Sequence, residues 1–213
     1  MRSRLIWALL AAALTASAAI IDQIAIVIGD SIIKDSDIER DMRGTDFMNG
    51  APLDLSNAAR KKAVSRLIDQ VFIRREIESG DYPDATWKQT DQQIDQLVRQ
   101  RFRTRAAFEA ALRRYGFSEV DLRTLVQWQL TILSFIEIRF KPAVLVMDED
   151  VQKYYNQHAA ELARQHPGKS SLDDLRDQIR QMLTEEGVNR QFFAWLDDQR
   201  KNNKIQYLEA SLQ

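Results

Sequence analysis

The stretch from Ser118 to Phe140 reads SEVDLRTLVQWQLTILSFIEIRF. Ser118 and Asp121 have the spacing of a capping box, which predicts that a helix begins here. The apolar residues of the stretch cover more than one face of this helix; they are Val120, Leu122, Leu125, Val126, Trp128, Leu130, Ile132, Leu133, Phe135, Ile136, Ile138 and Phe140. A helix that is apolar over most of its circumference is buried by several partners, so we expect it to be the central element of a mainly α fold.

Further helices are predicted on both sides of this central one. Apolar residues recur at intervals of three and four, and the predicted helices cover about residues 56–79, 85–102, 104–116, 171–202 and a segment that begins at Asp148. A short helix is expected from about Asp37 to Met42, ended by Gly44. The segment from Gly44 to Leu55 then has the composition of a loop that carries apolar side chains.

Short strands are predicted at the two ends of the fold. Residues 20–28 are rich in β-branched side chains, Gly29-Asp30 supplies a turn, and residues 31–33 return as a second strand. Residues 204–208 alternate and predict a closing strand, whose available partners are the strands of the opening hairpin. We therefore expect the chain ends to meet, as a small β-hairpin completed by a C-terminal helix and strand.

Residues 1–19 have the features of a secretory signal peptide. Arg2 and Arg4 precede an apolar run from Leu5 to Leu14, and small residues follow at the expected cleavage site near Ala19. The run is shorter than the roughly 20 apolar residues that span a bilayer, so no stable membrane span is expected after cleavage. The alternative is that the signal peptide is not cleaved and remains as a membrane anchor. Cleavage changes the formal net charge from −1 to −3, and the absence of cysteine is compatible with the periplasm.

The composition excludes several classes of protein. With 45% apolar residues the chain can build a core, and without cysteine it has neither a thiolate nucleophile nor a cysteine metal site. His158 and His166 lack the spacing of a metal site, and neither a glycine-rich phosphate loop nor a nucleophile elbow occurs. We therefore expect no metal, no cofactor and no catalytic residue.

One cluster of arginines invites comparison with nucleic-acid binding proteins. It is formed by Arg99, Arg101, Arg103, Arg105, Arg113 and Arg114, with Phe102 and Phe108 among them. Export from the cytoplasm, which the predicted signal peptide implies, argues against nucleic acid as a partner. We expect an exposed basic rim, for which anionic lipid headgroups or acidic client segments are better partners than RNA.

Six segments resemble the SurA-like periplasmic chaperones, in that family's order along the chain. They are Ile24–Ile38, Arg66–Ile73, Tyr115–Leu122, Arg139–Pro142, Asp148–Tyr155, and the terminal helix with residues 204–208. The resemblance implies a helical chaperone module in which the C-terminal helix and strand return to the N-terminal hairpin. It also implies that parvulin peptidyl-prolyl isomerase domains are inserted after the helix that carries Tyr154 and Tyr155.

This sequence departs from the family at that insertion point. Residues 158–170 separate the two helices, far fewer than the roughly 50 residues of the smallest domains. We therefore expect no parvulin domain and no isomerase activity. The predicted organisation is a signal peptide over 1–19, a chaperone core over 20–157, a short linker over 158–170, and a C-terminal helix and strand over 171–213 that pack on the core.

The resemblance implies a chaperone that binds unfolded outer-membrane or secreted polypeptides, and such binding requires no ATP. Flexible apolar side chains suit this role because they adapt to many sequences. The candidate client-binding residues are Met42, Phe47, Met48, Leu53, Phe102, Phe108, Tyr115 and Phe117, and core packing is the alternative for each. An envelope adaptor with one partner and a prolyl isomerase are the other functions considered. Exchange of the helical arm or hairpin between protomers makes a homodimer conceivable.

Overall fold

A computed structural model describes residues 22–165, 171–209 and 212, so the predicted signal peptide lies outside the described residues. The described residues form a mainly α fold with a small sheet, as predicted. In chain order the elements are β1 (Ile24–Ile28), β2 (Ser31–Lys34), α1 (Asp35–Asn49), α2 (Asn57–Ser79), α3 (Trp87–Leu97), a π-helical turn (Val98–Phe102), α4 (Arg105–Tyr115), α5 (Glu119–Phe140), a 3₁₀ turn (Lys141–Ala143), α6 (Asp148–Gln165), α7 (Leu172–Asn202) and β3 (Ile205–Tyr207).

The sheet has the strand order β2-β1-β3, with β1 antiparallel to both neighbours. The closing strand therefore returns to the opening hairpin, as the sequence predicts. Ile26 and Ile28 of β1 and Ile33 of β2 are buried in one core with Ile68 and Phe72 of α2. This core holds the two ends of the described chain together.

Helix α1 is longer than expected. The sequence predicts that Gly44 ends it, but the helix continues to Asn49 and ends at Gly50 in the left-handed conformation, with φ of 64°. A Cβ atom on Gly44 would lie 3.0 Å from the Leu125 side chain and 3.1 Å from that of Phe117. Gly44 therefore allows a close approach between α1 and α5 instead of terminating the helix, and the predicted loop is reduced to residues 51–55.

Helix α5 contributes to two cores, which fits its predicted central place. Leu122 and Val126 pack in an aromatic core formed with α1, α3 and α4, whereas Phe135 and Phe140 pack in a core with α2 and α7. Its apolar surface is not wholly covered, since Val120 and Leu133 are 73% and 63% exposed. The excess of apolar residues on α5 thus includes some that face solvent.

Helices α6 and α7 pair through a separate small core of Val151, Leu162, Leu175 and Ile179. The linker predicted over residues 158–170 requires correction, because α6 continues through residues 158–165 to Gln165. The polar composition that suggested a linker belongs in part to exposed helical positions such as Glu161.

Candidate functional site

The candidate site is a crevice where β2, α1, α2 and α5 meet, with a volume of about 440 Å³. Its lining residues come from all four elements and from the loop before α5; they are Ile32, Ile33, Asp37, Arg40, Asp41, Leu67, Gln70, Val71, Arg74, Phe117, Asp121, Thr124, Leu125 and Trp128. The walls are therefore parts of the fold that are far apart in sequence. We refer to this site below as the crevice.

Apolar side chains form much of the crevice wall. Leu67 and Val71 lie one turn apart on α2 and are half-buried, as is Leu125 on α5. Ile32 on the edge strand β2 is 47% exposed. An exposed side chain of this kind gains about 1.5 to 3 kcal/mol when a partner buries it fully. The crevice thus offers contact to apolar groups without demanding a particular shape.

Trp128 is held in a fixed orientation in this wall. Its indole Nε1 donates a hydrogen bond to Oε1 of Gln70 at 2.9 Å. The guanidinium of Arg74 lies over the ring, with Cζ 4.1 Å from the ring centroid. A hydrogen bond at one edge and a cation on one face restrain the side chain. Trp128 therefore forms a fixed wall rather than a mobile side chain.

Asp41 is the acidic group at the base of the crevice. Its side chain is 8% exposed and forms an ion pair with Arg66, whose Nε donates to Oδ2 at 3.0 Å. Burial raises the pKa of Asp41, and hydrogen bonds from Arg66 and Gln70 offset this shift only in part. The ion pair of Asp41 with Arg66 joins α1 to α2, and the hydrogen bond of Trp128 to Gln70 joins α5 to α2.

The rim of the crevice is charged. Nη1 of Arg40 lies 3.3 Å from Oδ1 of Asp37 on the same helix, and its Nε lies 3.6 Å from Oδ1 of Asp121 at the start of α5. These groups are largely exposed, and ion pairs of this kind contribute about 0 to 1 kcal/mol. The rim therefore keeps the mouth hydrated but does not close it.

The crevice has the geometry of a binding site. Within residues 22–165, 171–209 and 212, no group of histidine and acidic side chains has the arrangement of a metal site. Several polar groups of the crevice are already bonded, Asp41 to Arg66 and Gln70 to Trp128. What remains available to a ligand is the apolar surface together with the exposed guanidinium of Arg74.

The structure places most of the predicted client-binding residues in the core. Met42, Phe47, Phe108, Tyr115 and Phe117 are buried, Met48 and Phe102 are half-buried, and Leu53 is 38% exposed. Of these eight residues, Phe117 lines the crevice. Phe47 lies at the centre of the aromatic core, with ring centroids 5.6 Å from Tyr115 and 5.8 Å from Phe102. Packing, the alternative considered for each residue, describes the buried five.

Sequence reasoning missed the residues that line the crevice. The apolar pattern predicts a helix over about residues 56–79, which contains Leu67 and Val71, and a central helix with Trp128, but it does not identify these residues, Gln70 or Arg74 as a site. The signal that could have identified them is the i, i+4 pairing of Leu67 with Val71 and of Gln70 with Arg74 on neighbouring faces of α2. That pattern locates one wall, but the opposite wall comes from α5 and β2.

Comparison with known proteins gives a likeness to solved structures. No family model matches this chain, and no curated protein matches it. A solved structure from a study of the virulence factor PEB4 and the periplasmic protein Cj1289, two SurA-like chaperones of Campylobacter jejuni, superposes with a TM-score of 0.56 at 15% identity. The match covers 89% of this chain and 100% of the solved chain. This likeness shows the fold.

The described helices were also compared with the requirements of a membrane span. Among them, none is both long enough and apolar enough to cross a bilayer.

Proposed function

We propose that this protein is an ATP-independent periplasmic chaperone, a holdase that binds unfolded outer-membrane or secreted polypeptides in the crevice. The observation that carries the proposal is an open apolar crevice of about 440 Å³, several of whose polar groups are already bonded. A holdase must bind many sequences weakly, and apolar contact is not directional. The predicted signal peptide supports the periplasmic location.

Two features of the crevice suit an unfolded client. The apolar wall includes Ile32, which is half exposed and loses that exposure when a client side chain covers it. The fixed indole of Trp128 presents a flat apolar surface without a large loss of side-chain entropy on binding. The charged rim of Arg40, Asp37 and Asp121 borders the apolar wall without closing the crevice.

The structural likeness supports the same proposal at the level of fold. The solved structure belongs to a study of two SurA-like chaperones, and the match extends over most of this chain. We propose that the chaperone module acts here without catalysis, because α6 and α7 are joined by residues 166–171 and no isomerase domain is inserted between them.

A pair of matched variants tests the role of the crevice. Ile32→Thr keeps a β-branched residue on β2 but removes apolar surface, whereas Leu145→Thr makes a similar change at a side chain that is 75% exposed outside the crevice. We expect Ile32→Thr to weaken binding of an unfolded outer-membrane protein up to about tenfold, since about 1.4 kcal/mol of contact is lost. Leu145→Thr should have little effect.

The measurement is suppression of client aggregation by light scattering, with thermal unfolding of each variant as a check of folding. A photo-cross-linking residue introduced at position 32 or 145 identifies the bound chains. Equal activity of both variants, or cross-links from position 145 only, would show that the crevice is not the client site. One cross-linked partner instead of many would indicate an adaptor, and acceleration of prolyl isomerisation in a peptide would indicate an enzyme.

A further inference from the structure

A second surface of the molecule carries a concentration of positive charge. We define the basic surface as Arg99, Arg101, Arg103, Arg113 and Arg114, which lie in or beside the π-helical turn and in the last turn of α4. All five residues are exposed. No residue that lines the crevice belongs to this surface. It is therefore separate from the proposed client site.

Most of these arginines lack a neutralising partner. Arg105, at the start of α4, pairs with both Glu109 and Glu119. Within the part of the chain that the structure describes, Arg99, Arg103, Arg113 and Arg114 form no ion pair within 4.0 Å. Four cations thus remain uncompensated on a chain whose formal net charge is −1.

Arg101 fixes the position of the basic surface relative to α1. Its guanidinium donates hydrogen bonds to the carbonyl oxygens of Phe47 at 2.6 Å and Met48 at 2.5 Å, near the end of α1. Arg101 and Arg114 line the same cavity, which has a volume of about 400 Å³ and also includes Phe102. Arg101 of the π-helical turn and Arg114 at the end of α4 therefore lie beside each other.

The loop after α1, which carries exposed apolar side chains, is held against the end of α4. The hydroxyl of Tyr115 donates to the carbonyl oxygen of Ala51, which places the loop after α1 beside the end of α4. In this loop Leu53 and Leu55 are 38% and 48% exposed. The acidic group between them, Asp54, accepts a hydrogen bond from the backbone N–H of Ser56. The basic surface thus has an apolar edge.

Arg103 occupies an unusual backbone conformation. Its φ is +61°, and its N–H donates to the carbonyl oxygen of Val98 at 3.1 Å, which closes the π-helical turn. A residue with a side chain costs about 1 to 3 kcal/mol in such a conformation, whereas glycine adopts it freely. An arginine at this position is explained if its charge is needed there.

We propose that the basic surface docks on a bilayer that contains anionic phospholipid, with Leu53 and Leu55 entering the headgroup region. Each arginine near such a surface contributes about 1 kcal/mol, and adjacent leucines add apolar contact. An acidic polypeptide would also pair with the arginines, but it has no need of two exposed leucines beside them. Docking through this face leaves the crevice free.

The test compares two sets of variants that remove the same charge. One carries Arg99→Gln, Arg103→Gln, Arg113→Gln and Arg114→Gln; the control carries Lys62→Gln, Lys88→Gln, Lys153→Gln and Lys201→Gln, which are exposed lysines on four other helices. Protein that begins at residue 20 contains every described element and is mixed with vesicles of phosphatidylcholine, with or without phosphatidylglycerol. We expect binding that requires phosphatidylglycerol, weakens with salt, and falls about tenfold or more in the arginine set only.

Two further variants distinguish a loss of vesicle binding from a loss of folding. Arg103→Gly should retain or raise the melting temperature and still weaken vesicle binding, because it relieves the positive φ and removes a charge. Leu53→Ser with Leu55→Ser should weaken binding to vesicles but not to polyglutamate. Equal losses in both charge sets, binding that ignores phosphatidylglycerol or salt, or binding to polyglutamate but not to vesicles would each overturn the proposal.

Discussion

Asp41 shows how one buried charge is accommodated at the base of the crevice. Removing a carboxylate from water is costly unless it is paired and hydrogen-bonded. Arg66 supplies the opposite charge and Gln70 supplies a further hydrogen bond. Burial nevertheless dominates and raises the pKa of Asp41, so this residue makes the stability of the fold depend on pH.

The sign of that dependence can be tested with Asp41→Asn. Because the folded state binds the proton of Asp41 more tightly than the unfolded state, this group stabilises the fold below about pH 4, and the contribution is lost as pH rises through the raised pKa. We therefore expect the free energy of unfolding of the variant, relative to the wild type, to increase from pH 4 to pH 7. Urea denaturation at the two pH values measures it.

Asp22 provides a control of opposite sign. Hydrogen bonds from the side chain and backbone of Ser36 lower its pKa, so its contribution is present above about pH 4 and is lost as pH falls. Asp22→Asn should accordingly lose stability, relative to the wild type, as pH rises from about 3 to 5. The same direction of change in both variants would contradict this account of Asp41.

Residues of the crevice were harder to predict than residues of the core. Periodicity indicates which face of a helix its apolar side chains share, and it predicts the helix over about residues 56–79, in which Val64, Ile68 and Phe72 are buried. It does not show which neighbouring helix covers that face. Phe47 was predicted in a loop because Gly44 precedes it, and a helix tolerates such a glycine at a cost of about 1 kcal/mol when packing demands a close approach.

Among the elements, α7 makes a close contact with the segment that follows α5. Gly187 of this helix faces Val144, and a Cβ atom at Gly187 would lie 2.6 Å from Cγ1 of Val144. Phe192 and Leu196 are buried further along the same helix, in the core shared with α5. The missing side chain therefore sets how closely the segment after α5 lies against α7.

Gly187→Ala tests this contact. Alanine favours the helical backbone by about 0.5 to 1 kcal/mol relative to glycine, but overpacking costs about 1 to 3 kcal/mol, so we expect net destabilisation. Val144→Ala removes the opposing methyl groups and should rescue the variant, which gives a coupling free energy of about 1 kcal/mol or more in a double-mutant cycle. Chemical denaturation of the four proteins measures it. Additive effects would mean that the two residues do not compete for space.

The beginnings of several helices were predictable because their signals are local. Ser56, Thr104, Ser118 and Ser171 cap their helices through side-chain hydrogen bonds, and the sequence predicts that helices begin at or beside these residues. The π-helical turn was not predicted, since it depends on how α3 and α4 pack and not on a sequence motif. The end of α6 was not predicted either, because it lies in a segment of mostly polar composition.

At the scale of the molecule, the fold is closed by its C-terminal strand. Antiparallel pairing places Gln206 opposite Val27, and the N–H of Leu208 donates to the carbonyl oxygen of Ala25 at 2.9 Å. Arg200 adds an ion pair with Asp69 of α2 at 2.7 Å. The end of the chain is thus attached both to the central strand and to α2, and β1 has a partner on each edge.

Gln206→Pro tests whether this closure stabilises the whole domain. Paired residues that exchange hydrogen bonds alternate along an antiparallel ladder, and the bond between Leu208 and Ala25 shows that Gln206 and Val27 are also such a pair. Proline at position 206 therefore removes a donor to β1, and we expect a loss of about 2 to 3 kcal/mol from the unfilled acceptor and the misfitting ring.

Gln206→Ala is the matched control, because the side chain of Gln206 is exposed and alanine keeps the backbone donor. It should change the free energy of unfolding by no more than about 0.5 kcal/mol. Hydrogen exchange then separates global from local effects. If β3 is an integral part of the core, Gln206→Pro lowers the protection of β1 and α2 together with that of the strand, since Ile26 and Ile28 pack on α2. Loss of protection in β3 alone would show that the strand covers an edge without stabilising the domain.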